Sequence, residues 1–153
     1  INKILEKRKG DFELYRKMTP PRIMTSDGEI LTDKTGNNST PEGALIGMAA
    51  SAGVKEGTAN VILELSDADL KEGEILVTSC TDPVWTPLFT KASAVVTETG
   101  GMMMHSSVTA RECGIPAVAG VKDAVKKIKT GDRIRVNGTE GYVEILEAYK
   151  EEI

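Results

Sequence analysis

The chain has 153 residues, of which 40% are hydrophobic and 27% charged, and its formal net charge is -4. This composition is typical of a soluble globular domain with a substantial core. The interspersed charges argue against nucleic acid as the main partner, because nucleic-acid-binding domains usually carry a basic patch.

The first residue is Ile1, so we interpret the chain as a piece of a longer polypeptide that holds part of an active site. No apolar run approaches membrane-spanning length, and no signal peptide is visible. We therefore expect no membrane partner and a cytoplasmic location. Cys80 and Cys113 lack the spacing of a zinc site and are expected to be reduced, half-buried thiols.

The N-terminal part, residues 1–43, is predicted to be a helix followed by a linker. Ile1 to Met18 has apolar residues spaced among Lys, Glu and Arg, and Thr19-Pro20-Pro21 is expected to end the helix. The string DKTGNNSTPEG, Asp33 to Gly43, is polar and turn-rich, which indicates a flexible loop or linker. The compact domain is therefore predicted over residues 44–153.

Strands and helices are predicted to alternate through this domain, which indicates an α/β fold with a mixed sheet. The segments with strand patterns are ALIGMAAS, GTANVIL, EILVTSC, SAVVTET, PAVAGV, DRIRVNG and GYVEIL. A short helix capped by Thr81 or Asp82 is expected at TDPVWTPLFTKA, with Trp85 anchored in the core. His105 to Cys113 is predicted to be a helix ended by Gly114 and Pro116, and VKDAVKKI is predicted to be another.

The single histidine, His105, lies between a glycine turn and the predicted start of a helix. A helix start has unpaired N–H groups and a partial positive charge, both of which favour an anion. Gly100 and Gly101 leave room for its approach, and Ser106 and Ser107 add hydroxyl donors. These features predict a site for something anionic at or on His105.

Four roles for His105 are open from the residues alone. A lone histidine is usually a satisfied core or surface residue. A metal ligand would need His, Cys or carboxylate companions, which are missing at useful spacing. A general base would need an orienting carboxylate, and neither Glu98 nor Glu112 can be placed from the sequence. A neutral imidazole could instead attack a phosphoryl group and carry it covalently.

The stretch TETGGMMMHSSVTARECGIPAVAGV resembles the phosphohistidine signature of the phosphoenolpyruvate-utilising enzymes, which include phosphoenolpyruvate synthase, pyruvate phosphate dikinase and rifampicin phosphotransferase. TDPVWTPLF, GIPAVAGV and GDRIRVNGTEGYVEIL are similar to flanking segments of that family, and KMTPPRIMTSDGEI is most similar to the segment before this domain in rifampicin phosphotransferases. The resemblance covers about Lys17 to Leu146.

The resemblance implies a three-layer β/β/α swivelling domain with His105 as the phosphoryl carrier. The phosphate loop and its support would be Gly100, Gly101, Ser106, Ser107 and Arg111. ATP and Mg²⁺ would bind another domain of the same polypeptide, and an acceptor such as pyruvate would bind a third, so this chain holds no cofactor and is inactive alone. Asp33 to Gly43 could be the hinge or an ordinary surface loop, and Thr19 to Arg22 is the other candidate for the hinge.

Two residues depart from the family pattern. Met103 stands where Thr, Ser or Asn is common, so a group that could orient the ring is missing, and Thr109 replaces an aliphatic residue. Arg111 could meet the phosphate or a partner domain, or form a surface ion pair. Met102 to Met104 could pack in the core or form a docking surface that adapts to two partners.

Two other functions are compatible with the fold. The domain could be a non-catalytic interaction module, although an unobstructed helix entrance beside His105 argues against this. It could be a small-molecule phosphotransferase by itself, although the sequence lacks a GxxxxGK[ST] nucleotide loop. The sequence of this chain does not identify the molecule that accepts the phosphoryl group.

Overall fold

The computed structural model describes residues 2–18, 26–28 and 40–149. The chain divides into two units, Ile1–Lys34 and Thr35–Ile153. In the first, helix α1 spans Asn2–Arg16, as the charged amphipathic pattern predicts. Thr19-Pro20-Pro21 and residues 33–39 of the predicted linker lie outside the described residues, so the boundary at residue 43 stays a prediction.

The second unit contains the predicted alternation of strands and helices. The strands are β1 Leu45–Ile46, β2 Met48–Ser51, β3 Val54–Val61, β4 Ile75–Thr78, β5 Ala94–Thr97, β6 Ala117–Ala119, β7 Arg133–Asn137 and β8 Tyr142–Glu147. The helices are α2 Thr86–Phe89, α3 His105–Cys113 and α4 Ala124–Lys127, with 3-10 turns at Leu65–Asp67 and Pro83–Trp85. None of the helices in the described ranges is long and apolar enough to span a membrane.

Across the described residues, the strands form one eight-stranded sheet in the order β1-β8-β7-β3-β4-β5-β6-β2. The pairs β3–β4, β4–β5 and β5–β6 are parallel, and the outer pairs are antiparallel. The mixed sheet predicted from the sequence is thereby confirmed. Its parallel centre directs the chain that follows β5 to the carboxyl edge of the sheet.

Two buried clusters on opposite faces of the parallel strands give the fold three layers. Ile75 and Val77 of β4 belong to one cluster with Ile134 and Val136 of β7. Leu76, between them in sequence, belongs to the other cluster, which includes residues of α2 and α3. Because alternate residues of a strand point to opposite faces, the order is antiparallel strands, parallel strands, then helices. This confirms the β/β/α layering.

The predicted strand ALIGMAAS is in fact two strands separated by Gly47. β1 pairs with β8 and β2 pairs with β6, at opposite ends of the sheet order. A Cβ on Gly47 would lie 2.6 Å from Val118 Cγ1 and 2.7 Å from the Ala119 carbonyl oxygen. Glycine therefore lets the chain pass tightly over β6 from one edge of the sheet to the other.

The segment before α2 is capped as predicted. Asp82 Oδ1 accepts a hydrogen bond of 2.9 Å from the Val84 N–H, and Pro83 begins the turn. Trp85 is 7% exposed and lies in the helix-side cluster, which confirms its role in the core. Cys80 and Cys113, in contrast, are exposed rather than half-buried. Cys80 lies in the loop after β4, and Cys113 is the last residue of α3.

Candidate functional site

His105 is the first residue of α3, at the carboxyl edge of the sheet. The loop that delivers it leaves β5 after Thr97, and β5 lies between β4 and β6 in the parallel centre. At the other end of α3, Gly114 has φ 68° and accepts the left-handed turn that closes the helix. The helix bounds predicted from the sequence, His105 to Cys113, are those of the structure.

The two glycines before the histidine have different conformations. Gly100 has φ 136°, which L side chains rarely adopt, and a Cβ there would lie 3.4 Å from Thr97 Oγ1. Gly101 has no positive φ, and a Cβ on it would meet no atom within 4 Å. Gly100 therefore sets the turn, and Gly101 leaves open space beside the helix start.

The start of α3 has unpaired backbone donors. Ser107 N and Val108 N donate to the Met104 carbonyl at 3.0 and 3.1 Å, and Met104 provides no side-chain cap. The N–H groups of His105 and Ser106 donate to no acceptor in residues 40–149. Two free N–H groups at the positive end of a helix form a favourable environment for an anion.

The two serines after the histidine, Ser106 and Ser107, are both buried. Ser107 Oγ donates to the Gly101 carbonyl at 2.8 Å, so its proton stabilises the loop. Ser106 is 6% exposed, and its Oγ lies 3.7 Å from the position a Cβ would take on Gly100. Ser107 therefore supports the glycine turn directly, and the Ser106 hydroxyl lies near Gly100.

The His105 ring is partly exposed and contacts two buried side chains. Phe89 of α2 packs against it in a T-shaped arrangement with ring centroids 6.3 Å apart. Thr109 Oγ1 lies 3.4 Å from Nδ1 and 3.3 Å from Nε2. The ring is thus restrained by α2 and by the next turn of its own helix.

Arg111 forms hydrogen bonds to β2 and to the loop that precedes His105, which we call the histidine loop. Its Nη2 donates to the Met102 carbonyl at 2.6 Å and its Nη1 to the Ala50 carbonyl at 2.9 Å. The ion pair considered from the sequence is not formed with any acidic residue of the described chain. In this structure the guanidinium holds the loop that carries His105.

Met102, Met103 and Met104 form an exposed apolar surface beside the helix start. Their exposed fractions are 54%, 91% and 50%. Packing in the core, one of the two interpretations of these residues, is therefore wrong.

The acidic residues considered as partners of His105 have other roles or none. Glu98 Oε1 accepts a hydrogen bond of 3.1 Å from Val125 N, at the start of α4, and Glu112 is exposed. No three His, Cys, Asp or Glu side chains of the described residues come together as a metal site. On the antiparallel strands, Arg135 lowers the pKa of Glu56.

Two contacts of the site could not be identified from the sequence, whereas a third could. Phe89 and Ala50 lie far from His105 along the chain, so only the fold brings them to the site. Thr109 had a detectable signal, because residues four apart on a helix share a face. The resemblance marks Thr109 only as a departure from the family pattern.

The chain is similar to several known proteins. Residues 70–141 match the family described as "PEP-utilising enzyme, mobile domain". The chain is 56% identical over 144 residues to a rifampicin phosphotransferase of Bacillus cereus, covering 94% of this chain and 17% of that protein. It is 40% identical over 136 residues to a phosphoenolpyruvate synthase of Pyrococcus furiosus, covering 88% of this chain and 16% of that protein. The chain thus spans about a sixth of the length of these curated relatives.

The fold also occurs among solved structures. The crystal structure of Thermococcus kodakaraensis aconitase X in its holo form matches 68% of this chain and 98% of its own, with a TM-score of 0.54 and 26% identity. The fold with its sheet and covering helices is thus found in a protein whose name indicates a different activity. The residues at the α3 entrance, rather than the fold, must decide the function.

Proposed function

Because the chain belongs to the mobile-domain family of the phosphoenolpyruvate-utilising enzymes through residues 70–141, we propose that it is the phosphoryl carrier of a multidomain phosphotransferase. A ring nitrogen of His105 attacks a phosphorus atom of ATP bound to another domain, and the P–O bond to the nucleotide breaks. An acceptor oxygen on a third domain then attacks the same phosphorus. The P–N bond breaks, and the acceptor's proton passes to solvent or a base.

The observation that carries the proposal is the position of His105 at the entrance of α3. Its partly exposed ring lies beside two N–H groups that have no acceptor in the described domain. A phosphoryl group on the ring would place negative charge near the positive end of the helix, where it is stabilised. Arg111 and Ser107 contribute by fixing the loop.

ATP and Mg²⁺ are proposed to bind outside this chain. The sequence has no GxxxxGK[ST] loop. The carboxylates of the described residues do not gather into a set that could hold a metal ion. The described residues of this chain therefore do not form a binding site for either group.

The acceptor is proposed to be a small hydroxyl-bearing molecule bound by another part of the parent protein. The names of the relatives indicate two classes, rifampicin for one and phosphoenolpyruvate synthesis for the other. Identity of 56% with the former, against 40% with the latter, favours an antibiotic acceptor of the rifampicin type. A cytoplasmic location agrees with the use of ATP.

The test is labelling of the parent enzyme with ATP that carries radioactive phosphorus at the β or γ position. We expect acid-labile, base-stable label on the wild-type protein and none on His105→Ala. Glu112→Gln, an exposed change on the same helix, is the control and should label normally. Equal labelling of His105→Ala would overturn the proposal and favour a non-catalytic interaction domain.

A further inference from the structure

The histidine loop exposes a run of three methionines directly before His105. Met102, Met103 and Met104, which we call the methionine surface, are 54%, 91% and 50% exposed. Val108, one helical turn after Met104, extends this apolar surface along α3 and is 36% exposed. Exposed apolar side chains that stand together mark interaction sites more often than single ones do. The methionine surface is therefore a candidate contact for a molecule that reaches His105.

Hydrogen bonds hold the backbone of this surface in place. The Met102 carbonyl accepts a bond of 2.6 Å from Arg111 Nη2. The Gly101 carbonyl accepts bonds from Met104 N at 3.1 Å and from Ser107 Oγ at 2.8 Å. The methionine side chains are unbranched and polarisable, so they can adapt to the shape of a partner. Binding to this surface therefore requires little ordering of the backbone.

The geometry of phosphoryl transfer decides which molecule comes close to the methionine surface. Consecutive Cα atoms are about 3.8 Å apart, so the Cα of Met103 lies within about 7.6 Å of the Cα of His105. In a reactive arrangement the attacking hydroxyl oxygen lies about 3–3.5 Å from the phosphorus on the ring. The residues next to His105 therefore border the space into which an acceptor extends beyond its reacting hydroxyl.

The side chains at this position favour an apolar acceptor over an anionic one. Residues 99–110 contain no Lys, Arg, Asp or Glu, and the Arg111 guanidinium donates to two backbone carbonyls. The unpaired N–H groups at the start of α3 suit the phosphoryl group itself, so the loop has no cation for a carboxylate of the acceptor. Apolar side chains would also leave the phosphates of ATP poorly solvated, whereas methionine packs well against aromatic rings.

We propose that the methionine surface, and Met103 above all, contacts the acceptor and contributes to its binding; this rests on the function proposed above. The acceptor then presents an apolar, uncharged ring system beside its reacting hydroxyl. The carrier domain supplies one wall of the acceptor site during transfer, and the other walls belong to the domain that holds the acceptor. Pyruvate, whose charged carboxylate adjoins its reacting oxygen, would gain nothing from this surface.

The experiment measures the two half-reactions separately in the parent enzyme, for the wild type, Met103→Gln and Met103→Leu. Gln keeps the unbranched shape but is polar, whereas Leu stays apolar at a similar volume. Val54→Thr is the matched control, because it makes an exposed apolar residue polar at the start of β3, at the edge of the sheet opposite His105. Radioactive ATP labels His105 in the first half-reaction, and rifampicin is the acceptor in the second.

We expect Met103→Gln to raise the KM for rifampicin about tenfold, the factor that corresponds to losing about half the burial of one methionine side chain. The kcat should change little, because the lost contact is equally strong before and during the reaction. Labelling by ATP should keep its wild-type rate. Met103→Leu and Val54→Thr should match the wild type in both half-reactions. The fold should be unaffected, since the Met103 side chain is 91% exposed.

An unchanged KM for rifampicin in Met103→Gln would overturn the proposal. An equal loss in the two half-reactions would also overturn it, because the methionines would then serve docking of the domain in general. Turnover with pyruvate but not with rifampicin would contradict the apolar acceptor.

Oxidation of Met103 by hydrogen peroxide, followed by mass spectrometry of the parent enzyme, tests the contact without phosphoryl transfer. Rifampicin should slow this oxidation, and pyruvate should not. If ATP never labels His105 and rifampicin still protects Met103, the carrier function fails and the contact stands. If ATP labels His105 normally and rifampicin gives no protection, the contact fails and the carrier function stands.

Discussion

The glycines before His105 show how two identical residues come to have different roles. Gly100 is required for its backbone angle, since φ 136° strains any L side chain. Gly101 is not restricted in this way, and the space beside it is open. The sequence pattern shows both glycines but cannot tell these roles apart, because the backbone angles arise from the fold.

Gly100→Ala is expected to destabilise the domain by about 1–3 kcal/mol, the cost of holding an L residue in a sparsely populated conformation. Gly101→Ala is its matched control and should change stability by no more than about 0.5 kcal/mol. Urea unfolding of the two variants measures both values. Equal effects would show that the strain is not located at Gly100.

Arg111→Met is expected to free the histidine loop, because it removes the bonds to the Met102 and Ala50 carbonyls. Amide hydrogen exchange at Met102 to Met104 should become faster, and phosphoryl transfer to His105 should slow about tenfold. Lys122→Met removes an exposed cation that forms no ion pair in the described chain, and it should leave both measurements unchanged. An unchanged rate of amide hydrogen exchange in Arg111→Met would show that these two hydrogen bonds do not hold the loop.

At the scale of elements, the sequence predicts the helices and strands whose bounds are set by residues nearby in the chain. The bounds of α3 follow from Gly114, which accepts the left-handed turn, and from Pro116 beyond it. The division between β1 and β2 could not be predicted, because it depends on the contact of Gly47 with Val118, far along the chain. The hydrogen bond between Arg111 and Ala50 could not be predicted for the same reason, because the two residues lie far apart along the chain.

The antiparallel layer makes a prediction about pH. Arg135 donates to Glu56 at 2.8 Å and lowers the pKa of that carboxyl, with a smaller contribution from Arg133. A carboxyl whose pKa is lower in the folded than in the unfolded state stabilises the fold above its unfolded pKa. That stabilisation is lost as the pH falls through the folded pKa.

Glu56→Gln should therefore reduce stability slightly at neutral pH and flatten the loss of stability on the acid side. Urea midpoints measured from neutral pH to about pH 3 test this. Glu72→Gln, at an exposed residue without an ion pair in the described chain, is the control and should follow the wild-type curve. If the urea midpoint of Glu56→Gln falls with pH as steeply as that of the wild type, the contact between Arg135 and Glu56 does not stabilise the fold.

At the scale of the whole molecule, this chain is expected to fold yet bind ATP no better than weakly. It has two buried clusters and a continuous sheet, but its sequence contains no nucleotide loop. Isothermal calorimetry of the chain with ATP and Mg²⁺ measures this directly. Binding with micromolar affinity would contradict the division of labour between domains.

The central claim is that one histidine carries the phosphoryl group between two sites. It is tested most directly by rapidly quenching the parent enzyme in alkali during turnover with ATP and mapping the modification by mass spectrometry. We predict one added phosphoryl group on His105, which disappears when the acceptor is supplied in excess. A phosphoryl group on another residue, or turnover with His105 never modified, would contradict the account.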